Sequence, residues 1–299
     1  MQRRSRQPVA PNPRPGRTPA KKTKPATERA GATGIRLQSL IARAGVASRR
    51  EAERLIAAGL VQLNGKVVTE PGTRAREGFD HVRVDGKLVG RAAPQRSFVY
   101  HKPVGCVSTL RDPEGRFCIG DVVEALGARG VFPVGRLDFH SSGLILLTND
   151  GDLAERLMHP RFHVEKRYAV KVSPRPTREA IEELRRGVRI GRAATAPAFV
   201  REIRHAGGKS WLDVRIAEGR NQQIRRMMEA IGCRVEKLRR DAIGPVGLGD
   251  LAPGDARTLA ARERAALEAA MEAAAEPRPA ASVRGAAGRG ARANPTRKR

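Results

Sequence analysis

The chain has 299 residues, and its 58 lysines and arginines against 31 aspartates and glutamates give a formal net charge of +27 at pH 7. Hydrophobic residues make up 40% of it, enough to bury a core, which excludes a wholly disordered chain. No run of about 18 apolar residues occurs, and the basic N-terminus lacks the apolar stretch of a secretory signal. The composition predicts a soluble, cytoplasmic protein that binds a polyanion.

The cysteines and histidines give no sign of a disulfide framework or a metal site. The three cysteines are widely spaced, at positions 106, 118 and 233, and form no C-x-x-C pair. The six histidines do not combine with them at the spacings that metal ligands need. We therefore expect no disulfide framework and no metal site.

Much of the positive charge lies at the two ends of the chain. Residues 1–34 hold nine lysines and arginines and one acid, and residues 277–299 hold seven and none, so the ends contribute +8 and +7. Both are rich in proline, glycine and alanine and poor in large apolar residues, which predicts disordered basic tails. The remaining +12 on residues 35–276 favours a nucleic-acid partner for the folded part.

Residues 35–93 are predicted to form a small α+β module. Apolar residues at helical spacing predict a first helix near 37–44, and Ser48 with a glutamate three residues later predicts the start of a second helix. Two hairpins are then expected around Asn64-Gly65 and Asp85-Gly86, which are type I′ turn dipeptides.

After a linker at 90–96, residues 97–260 are predicted to form a second, larger domain. Strands are expected at 98–100, 131–134, 144–148, 164–172, 188–190, 198–203, 211–217 and 235–238. Helices are expected at 121–126, 152–158, 178–186 and 222–231, the last capped by Asn221, and a C-terminal helix at 261–276 precedes the tail. The mixture predicts an α+β fold built on a mostly antiparallel sheet.

Two segments of the larger domain carry residues suited to chemistry. The string GRLDFHSSGLILLTNDG at 135–151 places Asp138 in a loop before a buried strand, with Arg136 two residues away. An aspartate in such a loop is by itself most often a turn residue. The string EGRNQQIRRMME at 218–229 gathers Arg220, Arg225 and Arg226 around a helix start, where cations oppose the helix dipole and suggest an anion site.

Taken together, these strings resemble the RsuA/RluB family of pseudouridine synthases. The 135–151 string matches the family's G-R-L-D pattern, Lys166-Arg-Tyr168-Ala-Val170 matches its K-x-Y-x-V strand, and residues 218–227 match its E-G-[RK] helix start. Residues 35–93 are similar to the S4 RNA-binding module that precedes the catalytic domain in this family. The resemblance covers about residues 35–260 in the family's order.

The resemblance implies a role for each matched residue. Asp138 would be the catalytic aspartate, attacking the ribose C1′ or the uracil C6 or helping to form a glycal, and the sequence does not choose among these. Arg225 would pair with Asp138 and keep it ionised. Tyr168 would stack on the flipped-out uracil, and Arg136 would fill the space that the base leaves. Further RNA contacts are implied for Arg220, Arg226, Arg49, Arg50, Arg54 and Lys66.

The function that the resemblance implies is the isomerisation of a uridine in ribosomal RNA to pseudouridine. The reaction is internal to the nucleotide, so no cofactor or metal is implied. The large-subunit 23S RNA, naked or in a pre-ribosomal particle, is the expected substrate of a monomeric enzyme. Three alternatives stay open: a small-subunit 16S RNA enzyme, a non-catalytic RNA-binding protein of ribosome assembly, and a basic DNA-binding protein.

Overall fold

The computed structural model describes residues 34–275, which divide into two compact units. One unit holds residues 34–40 and 50–91, and the other holds residues 41–49 and 92–275. The predicted basic tails lie outside the described residues, apart from Gly34. No helix between residues 34 and 275 is both long and apolar enough to cross a membrane.

The N-terminal part of the described chain consists of two short helices and two small antiparallel sheets. Its elements are β1 (Ile35–Arg36), α1 (Leu37–Arg43), α2 (Arg49–Ala57), β2 (Val61–Leu63), β3 (Lys66–Val67), β4 (Arg74–Ala75), β5 (Val82–Val84) and β6 (Lys87–Leu88). The strand order is β3-β2-β5-β6 in one sheet, and β1 pairs with β4 in the other. This is the predicted small α+β arrangement.

Both predicted hairpin turns are confirmed. Asn64 and Gly65 have φ angles of 52° and 80°, and Asp85 and Gly86 have φ angles of 48° and 72°. A type I′ turn requires a left-handed conformation at both central residues, and Asn-Gly and Asp-Gly adopt it at low cost. These dipeptides therefore set the pairing of β2 with β3 and of β5 with β6.

The C-terminal part is built on one large sheet with helices on both faces. Its strands are β7 (Ser97–Lys102), β8 (Phe132–Val134), β9 (Ser142–Thr148), β10 (Lys166–Ser173), β11 (Arg189–Ile190), β12 (Ala193–Ala194), β13 (Phe199–Ala206), β14 (Lys209–Ile216), β15 (Arg234–Ile243), β16 (Val246–Gly247) and β17 (Ala256–Thr258). Its helices are α3 (Ile119–Ala125), α4 (Gly151–Met158), α5 (Arg178–Arg186), α6 (Gln223–Ala230) and α7 (Ala261–Ala275), with a 3₁₀ turn at Pro160–Phe162.

The main path of the sheet runs β13-β14-β10-β15-β9-β7-β17. Its neighbours pair antiparallel except β15 and β9, which are parallel through Arg239 opposite Ser142 and Arg240 opposite Gly143. The predicted α+β class with a mostly antiparallel sheet is confirmed. The parallel pairing joins the two halves of the sheet directly beside the loop that carries Asp138.

Side chains alternate across the strands and divide the sheet into two faces. Tyr168, Val170 and Val172 of β10 point to one face, where they form a core with Leu184 of α5 and Met227 of α6. We call this the inner face and the opposite one the outer face. Over β7 and β9 the outer face is covered by apolar residues of α4 and α7, including Leu153 and Leu267.

The start of α6 differs from the prediction. The residue that precedes the helix is Gln222, with a φ of 49° and no capping bond from its side chain, and not Asn221. The reason lies one residue further on: the Gln223 side chain accepts from the Arg220 backbone N–H at 3.0 Å and donates to Glu218 at 2.8 Å. These two bonds fix the turn, so a conventional cap is not needed.

Candidate active site

Asp138 lies in the loop between β8 and β9, on a backbone that is anchored by its neighbours. Gly135 opens the loop with a φ of 75°. Leu137 is buried in the inner-face core together with Tyr168. Asp138 itself is half-buried. Because Leu137 is buried directly before it, Asp138 holds its carboxylate at the edge of this core.

Hydrogen bonds hold the loop backbone on both sides of Asp138. The Ser108 hydroxyl donates to the Leu137 carbonyl at 2.7 Å and accepts from the Leu137 N–H at 3.1 Å. The Ser141 N–H donates to the Asp138 carbonyl at 3.0 Å, and the Gly105 N–H donates to the Phe139 carbonyl at 2.9 Å. The position of the carboxylate is therefore set by the surrounding backbone before any substrate binds.

Lys102, at the end of β7, is a site residue that sequence reasoning missed. Its side chain is fully buried, and its ammonium donates to the carbonyls of Pro103 and Ser141, both at 2.9 Å. Burial lowers the pKa of Lys102 to about 8, and the nearby Cys106 and Asp138 act in the opposite direction. The available signal was a lysine two residues after the apolar run FVY at 98–100, on a strand that is paired on both sides, with β9 and with β17.

Arg225 contacts the loop but not the carboxylate. Its guanidinium donates to the His140 carbonyl at 3.1 Å, to the Ser141 hydroxyl at 3.3 Å and to the Val235 carbonyl at 3.5 Å. Within residues 34–275 the Asp138 carboxylate has no ion pair, so the predicted Arg225–Asp138 pair is not formed in this structure. The reason is that α6 reaches the loop after Asp138, where backbone and hydroxyl oxygens accept the guanidinium instead.

The three motifs that were far apart in sequence meet in one core. Leu137 of the first motif, Tyr168 of the second and Ile224 of the third belong to the same buried cluster. Tyr168 is 9% exposed and lies on β10, in the centre of the sheet. The structure thus brings together Tyr168 and the chain neighbours of Asp138 and Arg225, while Arg136 is exposed beside them.

The E-G-R turn before α6 is held together from within. Glu218 accepts from Arg220 at 3.2 Å and from the Ala196 N–H at 3.1 Å, in addition to its bond with Gln223. Arg220 also donates to the Ala194 carbonyl at 2.8 Å. Arg220 is therefore engaged in fixing the turn, whereas Arg226 on the following helix is exposed.

The cations of α2 and β3 that are predicted to contact RNA are at the surface. Arg49, Arg50, Arg54 and Lys66 are all exposed, and Arg54 pairs with Glu51 at 2.9 Å. The buried residues of α2 are Ala52 and Ile56, which turn the opposite side of the helix to the core. Among residues 34–275 no three histidine, cysteine or acidic side chains are grouped as a metal site.

Comparisons with known proteins identify relatives of both parts of the chain. Residues 96–230 match the family of RNA pseudouridylate synthases, and residues 35–78 match the S4 domain.

Individual proteins match most of the chain. Over 226 residues the chain is 45% identical to ribosomal large subunit pseudouridine synthase B of Bacillus subtilis, and this match covers 75% of this chain and 91% of that protein. It is 38% identical to an uncharacterized RNA pseudouridine synthase of Aquifex aeolicus, over 75% of this chain and 90% of that one. A crystal structure of a pseudouridylate synthase, 28% identical, matches 78% of this chain and 99% of its own with a TM-score of 0.57.

Proposed function

The chain belongs to the family of RNA pseudouridylate synthases and carries an S4 domain, and from this premise we propose that it modifies one uridine of large-subunit ribosomal RNA. The bond between ribose C1′ and uracil N1 breaks, the uracil turns, and C1′ bonds to C5. The proton on C5 leaves and N1 gains one, so the atoms of the nucleotide balance without a cofactor. The observation that carries the proposal is the meeting of three motifs around Leu137, Tyr168 and Ile224.

Asp138 is the catalytic residue of the proposal. A carboxylate on an immobilised loop can act as a nucleophile towards C1′ or C6, or as the base that starts glycal formation. Each route needs the carboxylate aimed at one face of the nucleotide. The bond from Ser108 to the Leu137 carbonyl and the bond from the Ser141 N–H to the Asp138 carbonyl support that positioning.

The target uridine must leave its helix before it can reach Asp138. Enzymes that act on a base extrude it from the stack and hold it against an aromatic or apolar side chain. We assign this contact to Tyr168, whose ring lies in the same cluster as Leu137. Arg136, exposed two residues before Asp138, would fill the space left in the RNA.

The remaining cations serve in RNA binding and in positioning. Arg225 and Lys102 hold the backbone at residues 140–141, so we assign them as positioning residues. RNA phosphates are contacted by Arg220 and Arg226 of the catalytic domain and by exposed cations of the S4 domain, namely Arg49, Arg50, Arg54 and Lys66. The basic tails add affinity that does not depend on sequence. The protein acts in the cytoplasm as a monomer.

The substrate is tested by pseudouridine mapping on ribosomal RNA transcripts that carry no modifications. Large-subunit and small-subunit transcripts are incubated separately with the protein, alone and as partly assembled particles. We expect one new pseudouridine in the large-subunit RNA. A single site in the small-subunit RNA would reassign the substrate, and no product in any sample would favour an assembly protein without catalysis.

A further inference from the structure

The outer face of the sheet carries an ordered set of cations that the catalytic proposal does not use. Strand pairing places the residues of β13, β14, β10 and β15 in cross-strand rows, and three successive rows lie on the outer face. We call these twelve residues the outer grid. Its rows are Phe199–Arg215–Arg167–Ala242, Arg201–Asp213–Ala169–Arg239 and Arg204–Trp211–Lys171–Lys237.

The single acid of the outer grid is buried at its centre. Asp213 is 1% exposed. Its carboxylate forms ion pairs with the guanidinium groups of Arg167 and Arg215, each at 3.2 Å, and of Arg201 at 3.8 Å. Three guanidinium groups thus share one carboxylate. Two of the three charges remain unneutralised by Asp213, and the three side chains are 33–62% exposed.

Acids at the margin neutralise only part of the remaining charge. Asp241 accepts from Arg239 at 2.6 Å, Glu236 lies 3.1 Å from Lys171 and 2.6 Å from Lys209, and Glu165 lies 4.0 Å from Arg215. With Lys209 included, these eight cations have four carboxylates as their partners, which leaves +4 among these twelve side chains. Like charges gathered in this way repel one another and weaken the fold, so stability does not explain them.

Two aromatic rings support the guanidinium groups at the surface. The Arg215 guanidinium lies over the Phe199 ring at 4.4 Å from its centroid, and the Arg204 guanidinium lies over the Trp211 ring at 5.7 Å. Stacking restricts these side chains while leaving N–H groups free to donate. The guanidinium fork matches the oxygens of a phosphate group.

The outer grid ends in a concave region beside β15. A cavity of about 500 Å³ lies there, and its lining includes Arg167, Arg239 and Ala242 of the grid together with His101 and the acids Asp241 and Asp250. This volume is within the range of sites that hold small molecules.

We propose that the outer grid is a second RNA-contact surface, which binds the phosphate backbone of a ribosomal RNA segment away from the modified uridine. The proposal rests on the proposed function for the choice of ribosomal RNA. The rows are about 6.8 Å apart and neighbouring strands about 4.8 Å, so the cations form a regular positive surface that complements a polyphosphate. An acidic protein is the rival partner, but protein interfaces are depleted of charge at their centres, where this surface is richest in it.

The test compares two triple variants that lose the same charge. The grid variant is Arg204→Ala/Lys237→Ala/Arg239→Ala, and the matched control is Arg178→Ala/Arg189→Ala/Arg262→Ala, whose three arginines are exposed and outside the grid. The dissociation constant for a large-subunit ribosomal RNA transcript is measured from 50 to 300 mM KCl. We expect the grid variant to bind at least about tenfold more weakly at low salt, with a salt slope smaller by up to about 2.7, since each of the three lost phosphate contacts removes about 0.9. The control is expected to change affinity by less than about threefold.

Equal losses in both variants would overturn the proposal, because net charge alone would then explain them. Binding to poly-glutamate, which stands in for an acidic protein, is measured in parallel. Unchanged RNA affinity in the grid variant would also overturn the proposal, whether or not that variant loses binding to poly-glutamate. If the grid triple does not fold, the single changes Arg204→Ala and Lys237→Ala are measured, each expected to lower the slope by up to about 0.9. Product formation by the wild type is scored separately: its absence would overturn the proposed function and leave the binding result standing.

Discussion

The buried ammonium of Lys102 donates to the carbonyl of Ser141 at 2.9 Å, across 39 residues of chain. The Ser141 N–H in turn donates to the Asp138 carbonyl at 3.0 Å. Lys102 is thus connected to the catalytic aspartate of our proposal through one residue of backbone. A lysine with no exposed surface is costly to bury, and this one is placed where it holds the turn that positions Asp138.

Replacing Lys102 with methionine is expected to remove a pH-dependent part of the stability. The pKa of Lys102 is about 8 in the folded chain and has its ordinary value of 10.5 in the unfolded chain, so between these pH values the unfolded chain holds a proton that the folded chain has released. Stability therefore rises with pH in this window, by about 1.4 kcal/mol per pH unit for one proton. Urea unfolding at pH 7.5 to 10.5 should show the wild type gaining stability relative to Lys102→Met. A stability difference between the two proteins that stays constant with pH would contradict the lowered pKa of Lys102.

Arg225→Lys is expected to lower kcat much more than it changes KM. A lysine cannot reproduce the bonds to both His140 and Ser141, so the turn after Asp138 loses part of its support. Misplacement by about 1 Å costs up to about 100-fold in rate, while RNA phosphate contacts remain. Steady-state kinetics on an RNA hairpin that contains the target uridine provides the measurement.

Arg226→Ala serves as the comparison, because Arg226 follows Arg225 on the same helix but is exposed. Loss of one phosphate contact is expected to weaken RNA binding and to reduce the salt slope by about 1. The two variants should therefore separate, with Arg225 acting on kcat and Arg226 on affinity. If Arg225→Lys lowered RNA affinity and left kcat unchanged, the positioning role of Arg225 would be contradicted.

Gly143→Ala is expected to destabilise the protein by about 3 kcal/mol or more. Gly143 has a φ of 114°, and a β-carbon there would overlap the backbone of Arg240 on the parallel neighbour β15. Gly151→Ala is the control, since a β-carbon at the start of α4 meets no atom within 4 Å. Urea denaturation should show a large loss for the first variant and little change or a small gain for the second. Similar effects at both positions would contradict the proposed close contact at β15.

The local structure was predictable wherever a short pattern determines it. The two hairpin turns follow from Asn64-Gly65 and Asp85-Gly86 because their conformations are properties of the dipeptides themselves. Helix α5 was predicted with its observed bounds, Arg178–Arg186, and Thr177 caps it through a bond to the Ala180 N–H. The convergence of the three motifs was implied only by the family resemblance.

Contacts between distant segments were not predictable. The Arg225 bond to His140 joins residues that are 85 positions apart, and no periodicity indicates which oxygen the guanidinium reaches. The burial of Asp213 among three arginines depends on the register of β10, β13 and β14. The outer grid depends on the same register and on bulges in β13 and β15 that a single strand does not reveal.

The most direct test of the account is single-turnover pseudouridine formation by Asp138→Asn, with RNA affinity measured on the same preparation. Asparagine keeps the size of the side chain and removes its charge. We predict no pseudouridine and an RNA dissociation free energy within about 1 kcal/mol of wild type, because phosphate contacts dominate binding. Pseudouridine formed at the wild-type rate by Asp138→Asn would contradict the account, since the carboxylate would then have no part in the reaction.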